Sequence, residues 1–250
     1  MEKLKSLQLY GNKKLLDCVV NGVSYKYAQF NTRAVVDCPF ATKGCRIACY
    51  ATHGCHQFPS VKAARERSYQ DTLKADFVSR MIHTIESALE SKRYKGSTMI
   101  LRLHESGDFY SLEYLRKWMD VFRHFSDDNI IFCFYTKSFQ FFKQLEKEER
   151  MLLKSLIAKG VVAMSVSVDD TSSIQSIMDA TLLQATLGAN AYIATTNPEA
   201  WKYNAECRCK NCAECGNCIH ATRKNVVCRL HSVTQKEIEK YEQLKERETK

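Results

Sequence analysis

The sequence of 250 residues has no long apolar run. No stretch approaches the roughly 18 consecutive apolar residues that a membrane span requires. Its first residues, MEKLKSLQLYGNKK, contain no apolar core of signal-peptide length. We therefore expect a cytoplasmic protein with no membrane partner. Thiols stay reduced in the cytoplasm, so grouped cysteines there favour metal ligation over disulfide bonds.

Familiar catalytic and binding signatures are also missing. The sequence contains no Ser-His-Asp arrangement, phosphate-binding glycine loop or dinucleotide fingerprint. It has no helix-turn-helix, zinc-finger or RNA-binding motif either, so a nucleic-acid partner is indicated mainly by the formal net charge of +9. Two four-iron clusters, each carrying about −2, would reduce that charge to roughly +5.

The cysteines are the most informative feature that is present. Nine of the twelve lie in two short segments, CPFATKGCRIACYATHGC and CRCKNCAECGNC. Thiols at such close intervals can converge on one metal ion or cluster. The candidate metal ligands are Cys38, Cys45, Cys49 and Cys55 in the first group, and Cys207, Cys209, Cys212, Cys215 and Cys218 in the second.

The spacing of the second group favours an iron–sulfur cluster over zinc. Zinc modules generally separate two Cys-x2-Cys pairs by a dozen or more residues. Here Cys209/Cys212 and Cys215/Cys218 are only two residues apart, as in the close repeats of ferredoxin-type loops. We therefore expect one or two four-iron clusters, with zinc as the alternative.

The middle of the sequence predicts an α/β fold. Apolar strands such as STMILRLHE, NIIFCFYTK and GVVAMSVSV alternate with amphipathic helices, which predicts βα repeats in a parallel sheet. The number of repeats is too small for a complete eight-unit barrel, so we expect a partial TIM-like barrel or an open parallel sheet. Asn21-Gly22 predicts an N-terminal hairpin over residues 13–30.

Residues 1–232 are expected to form a single metal-binding domain, with the cysteine-rich C-terminal loop at 207–218. The segment FNTRAVVDCP is expected to be a strand that runs into the first cysteine loop, and residues 60–91 are expected to form one helix. The alternating charges of residues 233–250 predict an exposed C-terminal helix with no special role.

Polar residues follow several of the predicted strands, where α/β and barrel proteins place their sites. We expect a site lined by His104 and by the candidate catalytic residues Glu105, Asp108, Tyr135 and Lys137. The candidate cofactor-binding residues are Gly107, Asp108 and Ser165. The alternative for Ser106-Gly107-Asp108 is a plain turn between a strand and a helix.

Four motifs together resemble the phage "gene product 88" family: CPFATKGCRIACYA, LRLHESGDFYSLEYLRKWMDV, FCFYTKS and CKNCAECGNC. The resemblance covers residues 31–231 and implies a phage or prophage protein. The residues that it indicates are Cys38, Cys45, Cys49, Gly107, Asp108, Tyr135, Lys137, Cys209, Cys212, Cys215, Cys218 and His231.

The first cysteine loop is also similar, more distantly, to that of radical S-adenosylmethionine enzymes. Those enzymes hold a four-iron cluster by a C-x3-C-x2-C loop, and Cys45-x3-Cys49 matches its first half. Position 52 is Thr, so the second half is absent. The resemblance implies S-adenosylmethionine as a further cofactor, with Gly107-Asp108 near its amino group. Alternatively, four cysteines fill the cluster and the site is structural or electron-transferring.

The leading hypothesis is an iron–sulfur protein with redox or radical chemistry on a small-molecule or nucleic-acid substrate. A second hypothesis is a zinc-stapled nucleic-acid-binding protein without catalysis. Its basis is a set of basic residues around the second cysteine group: Arg208, Lys210, Arg223, Lys224 and Arg229.

Overall fold

The computed structural model describes residues 4–11, 17–201, 205–206, 215–219, 223–230 and 233–248. Strands of the described part are β1 (Cys18–Val20), β2 (Val23–Phe30), β3 (Thr98–Leu103), β4 (Ile130–Thr136), β5 (Val162–Asp169), β6 (Asn190–Thr195), β7 (Ala205–Glu206) and β8 (Asn225–Arg229). They form one sheet in the order β1-β2-β3-β4-β5-β6-β8-β7. Only the β1–β2 pair is antiparallel among these strands.

The sheet curls into a half-barrel with helices between its strands, which confirms the predicted partial barrel. The helices of the described residues are α1 (Lys43–Ile47), α2 (Pro59–Thr72), α3 (Phe77–Glu90), α4 (Leu112–His124), α5 (Phe139–Lys143), α6 (Lys147–Ala158), α7 (Ile174–Leu187) and α8 (Gln235–Glu248). Short 3-10 helices cover Tyr50–Thr52, Gly54–Gln57 and Pro198–Trp201. None of the helices in the described ranges is long and apolar enough to cross a membrane.

The predicted N-terminal hairpin is confirmed by β1 and β2. Asn21 and Gly22 both have positive φ, 50° and 81°, as a two-residue turn of this kind requires. Residues 13–16 of that prediction lie outside the described part of the chain.

The two faces of the sheet carry different cores because side chains alternate along a strand. The helices pack on one face around Trp118, Phe122 and Phe132, which are fully buried. The opposite face, called here the inner face, carries a smaller apolar cluster that includes Ile100 and Ile131. The outer helical layer therefore contributes most of the hydrophobic core, and the inner face remains partly polar.

Two boundary predictions were wrong. The segment FNTRAVVDCP is not a strand: β2 ends at Phe30, and Val35 has a φ of +65°, which no strand tolerates. The single helix expected over 60–91 is two helices, because α2 buries polar residues and Leu73 at its end is exposed. The four-residue apolar repeat packs only from Phe77 onward, where α3 begins.

The C-terminal helix α8 begins at Gln235, and many of its side chains are exposed as expected. Tyr241 is the exception, since its side chain is fully buried. It lies between α1 and the end of β5, where its hydroxyl accepts a hydrogen bond of 3.1 Å from the backbone N–H of Asp170. The helix therefore helps to hold the elements at the carboxyl ends of the strands.

Candidate functional site

The first cysteine loop is tied to the turn that follows β3. The backbone N–H of Thr32 donates to the Ser106 carbonyl at 3.1 Å, and the Ser106 hydroxyl donates to the Thr32 carbonyl at 2.7 Å. The N–H of Asp108 donates to the Asp37 carbonyl at 3.0 Å. A β-carbon at Gly107 would lie 2.0 Å from Oγ1 of Thr32, at a φ of +86°. Only glycine fits this close approach of the two loops.

Helix α1 is fixed over the end of β5. Thr42 caps the helix: its hydroxyl oxygen accepts from the Cys45 N–H at 2.9 Å and donates to Oδ2 of Asp169 at 2.6 Å. The Gly44 N–H donates to Oγ1 of Thr171 at 3.1 Å. These contacts place Cys45 at the carboxyl edge of the sheet.

Three thiols of the first group, those of Cys38, Cys45 and Cys49, are half-buried on the loop at this edge. Burial is the main cause that raises the pKa of all three, to about 11 for Cys45. The thiols are also near enough that their charges affect one another: Cys45 and Cys49 raise the pKa of Cys38, and Cys49 raises that of Cys45. Without a metal they are therefore neutral thiols at pH 7.

Cys55 is placed differently from the other three. It is exposed on a 3-10 helix, close to Arg65. The Arg65 guanidinium is buried and is held by Nδ1 of His56 at 2.6 Å and by the Ala51 carbonyl at 3.3 Å. The structure thus brings three of the four first-group cysteines together and leaves Cys55 at the surface.

A buried ion pair lies beside the thiols. Nζ of Lys137 is 2.8 Å from Oδ2 of Asp169, with side-chain exposures of 10% and 3%. Burial alone would raise the pKa of Asp169, but the charge of Lys137 and the hydrogen bonds it receives lower it below its ordinary value. Lys137 also opposes the rise in the pKa of Cys45. Asp169 acts in the other direction and raises the pKa of Cys45, so the pair places opposite charges beside a neutral thiol.

Asp108 joins the ends of β3 and β4. Its Oδ1 accepts from the Phe109 N–H and the Thr136 hydroxyl, each at 2.7 Å, and its Oδ2 accepts from the Lys137 N–H at 2.8 Å. Burial raises the pKa of Asp108 to about 6, against these hydrogen bonds. Its charge also raises the pKa of Cys38. Asp108 therefore bridges the ends of the two strands, and its carboxylate lies near the thiol of Cys38.

Glu105 and His104 take different positions at the end of β3. The Glu105 carbonyl accepts a hydrogen bond from the Tyr50 hydroxyl, next to Cys49. His104 turns away: its Nε2 lies 3.0 Å from the hydroxyl of Tyr114 on α4, within the helical core. The expectation that His104 lines the site is wrong, because its φ of +58° ends the alternation of β3.

Tyr135 and Ser165 are neighbours on the inner face, one layer below the edge. They are paired in the register of β4 and β5. The Tyr135 ring lies 4.8 Å from the Tyr192 ring and 5.0 Å from Cζ of Arg102. These residues line the inner face beneath the cysteine loop.

The second cysteine group is described only in part. Cys207, Cys209 and Cys212 lie outside the described residues, as does His231. Cys215 is half-buried and Cys218 is buried, with its carbonyl 3.6 Å from Sγ of Cys133 on the inner face. Within the described ranges, no three His, Cys, Asp or Glu side chains are arranged to hold a single metal ion.

A small cleft gives access to the edge of the sheet. Its volume is about 150 Å³, and it is bounded by Phe40, Thr42, Lys137 and Ser167. A larger groove of about 790 Å³ lies elsewhere, between the N-terminal segment and α2, and does not adjoin the cysteines. The smaller cleft contains no cysteine side chain, but two of its lining residues, Thr42 and Lys137, flank Cys45.

Sequence reasoning missed several residues of this region. Thr42 had a usable signal, since a threonine three residues before the Cys45 N–H is a typical helix cap. Arg102 also had one, as the single basic residue in an apolar strand. Tyr241 had none, because its helix reads as a solvated charged segment.

Residues 3–221 match the family model described as Gene product 88. The chain belongs to the Gene product 88 family. No curated protein and no solved structure was found to match it. The family match covers the first cysteine loop, the half-barrel strands through β6 and the second cysteine group.

Proposed function

We propose that this phage-type family member binds a four-iron cluster at the carboxyl edge of the half-barrel. The ligands of that cluster are the thiolates of Cys38, Cys45 and Cys49. One observation carries the proposal: three half-buried thiols of a single loop lie together where parallel strands end.

The donor set suits a cluster better than a single ion. A four-iron cluster takes one thiolate on each iron, so its ligands surround it and need not meet at one point. This agrees with thiols that are close without forming a single-ion site in the described residues. Metal binding would displace the thiol protons; at Cys45 the charge of Lys137 favours that step, while burial and the charge of Asp169 oppose it.

The fourth iron has two kinds of ligand available. Cys55, or a thiol from the second group, would complete a structural or electron-transferring site. An iron left open would instead bind a small molecule, and the C-x3-C spacing of Cys45 and Cys49 supports S-adenosylmethionine in that place. When bound, such a cluster supplies electron-transfer chemistry.

The first test is metal analysis of protein purified without oxygen. We expect about four irons and four sulfides per chain for one cluster, or about eight of each for two. Cys45→Ser and Cys49→Ser should lose the cluster of the first loop. Cys18→Ser on β1 is the matched control and should keep it. Zinc without sulfide would overturn the proposal and favour the zinc-stapled nucleic-acid-binding alternative. That alternative predicts an affinity for DNA or RNA that falls steeply with rising salt concentration.

The S-adenosylmethionine form is tested separately on protein that contains the cluster. If S-adenosylmethionine binds the open iron, adding it should change the EPR spectrum of the reduced cluster. An unchanged spectrum, with no methionine or 5′-deoxyadenosine formed, would leave the structural or electron-transfer role.

A further inference from the structure

Arg102 on β3 is a guanidinium without an anionic partner among the described residues. It extends from the inner face, where the register places it between Gln29 of β2 and Cys133 of β4. Its Nε is buried and has no hydrogen-bond acceptor among the described residues. Its Cζ lies 5.0 Å from the centre of the Tyr135 ring. The ring supports the guanidinium plane from one side, so its hydrogen-bond donors remain available.

An arrangement of this kind is costly. Arginine stays protonated in proteins, so it cannot avoid the cost of burial by losing its charge. The Arg102 side chain is half-buried and its Nε is fully buried, so the cost of desolvation falls on that donor, which has no acceptor among the described residues. Glu105 is near enough to act on Arg102 electrostatically, yet no carboxylate of the described residues lies within ion-pair distance of it. The unpaired cation points to a ligand that supplies the missing charge.

The surroundings of Arg102 add a second unsatisfied polar atom. Gln29 is 6% exposed, and its Oε1 is buried without a donor in the described part of the chain. Its Nε2 is already used, donating to the Gly11 carbonyl at 3.0 Å. Ile219 packs against the inner-face cluster below this layer. A ligand bound here would contact the Arg102 guanidinium, the Gln29 amide oxygen and the apolar side chains of the inner-face cluster.

We propose that the inner face binds a small molecule through a carboxylate that pairs with Nε and one terminal nitrogen of Arg102. A neighbouring hydroxyl or amine of the same molecule would donate to Oε1 of Gln29. A planar carboxylate matches the fork of one guanidinium. Phosphate is disfavoured because the other cations nearby are committed, Lys137 to Asp169 and Arg65 to His56.

The proposal does not depend on the cluster, because Arg102 has no ion-pair partner in the part of the chain that the structure describes. The site does lie close to it: Tyr50, which follows Cys49, also acts on Arg102 electrostatically. A molecule held by Arg102 would thus lie beneath the first cysteine loop. The bound molecule would be positioned as a substrate for any chemistry carried out at the thiols of Cys38, Cys45 and Cys49.

The test is isothermal titration calorimetry of the full chain with glycolate, which carries one carboxylate and one hydroxyl. We expect saturable binding that is at least about tenfold weaker in Arg102→Met, the loss expected for a charged hydrogen-bonded pair. Arg102→Lys should also bind more weakly, because it keeps the charge and loses the fork. Arg123→Met is the control, since Arg123 is 60% exposed beside Asp120, and its binding should equal that of the wild type.

Thermal unfolding separates this role from a structural one. Without ligand, Arg102→Met should melt at the same temperature as the wild type or higher, because it removes a buried donor that has no acceptor among the described residues. A lower melting temperature together with unchanged glycolate binding would overturn the proposal. So would the absence of glycolate binding to the wild type, or tighter binding of inorganic phosphate than of glycolate.

Discussion

Gly44 of α1 and Tyr241 of α8 pack against each other with no room for a side chain at Gly44. A β-carbon there would lie 2.6 Å from Cε2 of Tyr241 and 2.5 Å from Oγ1 of Thr171. The helix that carries Cys45 is therefore held between the end of β5 and the C-terminal helix. Through this contact, α8 supports the helix that carries the Cys45 thiol.

The first prediction is that Gly44→Ala destabilises the protein by about 1–3 kcal/mol, the usual cost of overpacking. Urea unfolding of the metal-free protein measures this free energy. The iron content expected from the proposed cluster should fall as well in the purified variant, because α1 must shift. Gly11→Ala is the control, since no atom lies within 4 Å of a β-carbon built there. Equal stability of Gly44→Ala and the wild type would show that the packing is looser than described.

The second prediction concerns the cap of α1. Thr42→Ala removes the acceptor for the Cys45 N–H and the donor to Asp169, and should cost about 1–2 kcal/mol. Thr42→Ser keeps the hydroxyl and should retain most of this stability. Iron content per chain, measured with unfolding in urea, should follow the same order. If the alanine and serine variants lose equal amounts of iron, the hydroxyl is not what positions Cys45.

The third prediction concerns the buried ion pair. Lys137→Met leaves Asp169 without its cation at 3% side-chain exposure and should destabilise the protein by about 3–5 kcal/mol. The folded-state pKa of Asp169 lies below its ordinary value of 3.8. Its contribution is therefore present above about pH 4 and is lost as pH falls through the folded pKa.

A double-mutant cycle isolates the pair. Adding Asp169→Asn to Lys137→Met removes the uncompensated charge and should restore part of the lost stability. The coupling free energy is the departure of the double variant from the sum of the two single variants. Additive losses in urea unfolding would mean that the two charges do not interact, contrary to their separation of 2.8 Å.

The sheet and its carboxyl edge could be predicted from the sequence because both depend on local patterns. Apolar runs marked β3, β4 and β5, and the polar residues after them marked where the strands end. Asp108 and Lys137 were therefore expected at one edge, where the structure places them in contact through the Lys137 N–H. That expectation needed only the parallel arrangement of the strands.

The remaining features depend on contacts between distant residues. Val35 and Val36 have a high strand propensity, yet this segment is a loop that is held by the turn after β3. The packing of Tyr241 joins residues almost two hundred positions apart, Gly44 and Tyr241, and leaves no mark in either local sequence. Tertiary contacts overrode local propensity at Val35 and Val36, whereas at Tyr241 they buried one residue of a helix whose charge pattern predicted exposure.

The last prediction concerns the acid stability set by His104. Burial lowers the pKa of His104 from 6.5 to about 3, so the unfolded chain binds a proton in this range that the folded protein does not. This contribution to the free energy of unfolding is fully present above about pH 6.5 and falls as pH decreases toward 3, by about 5 kcal/mol at most. His104→Asn suits the test, because asparagine tolerates the positive φ of this position. We expect a lower free energy of unfolding at pH 7, from the lost contact with Tyr114, and a flatter dependence of that free energy on pH between 6.5 and 4. Urea unfolding of the metal-free protein measures both.

His83→Asn on α3 is the control and should keep the wild-type slope. A slope that is equally steep in His104→Asn would mean that other groups set the acid limit.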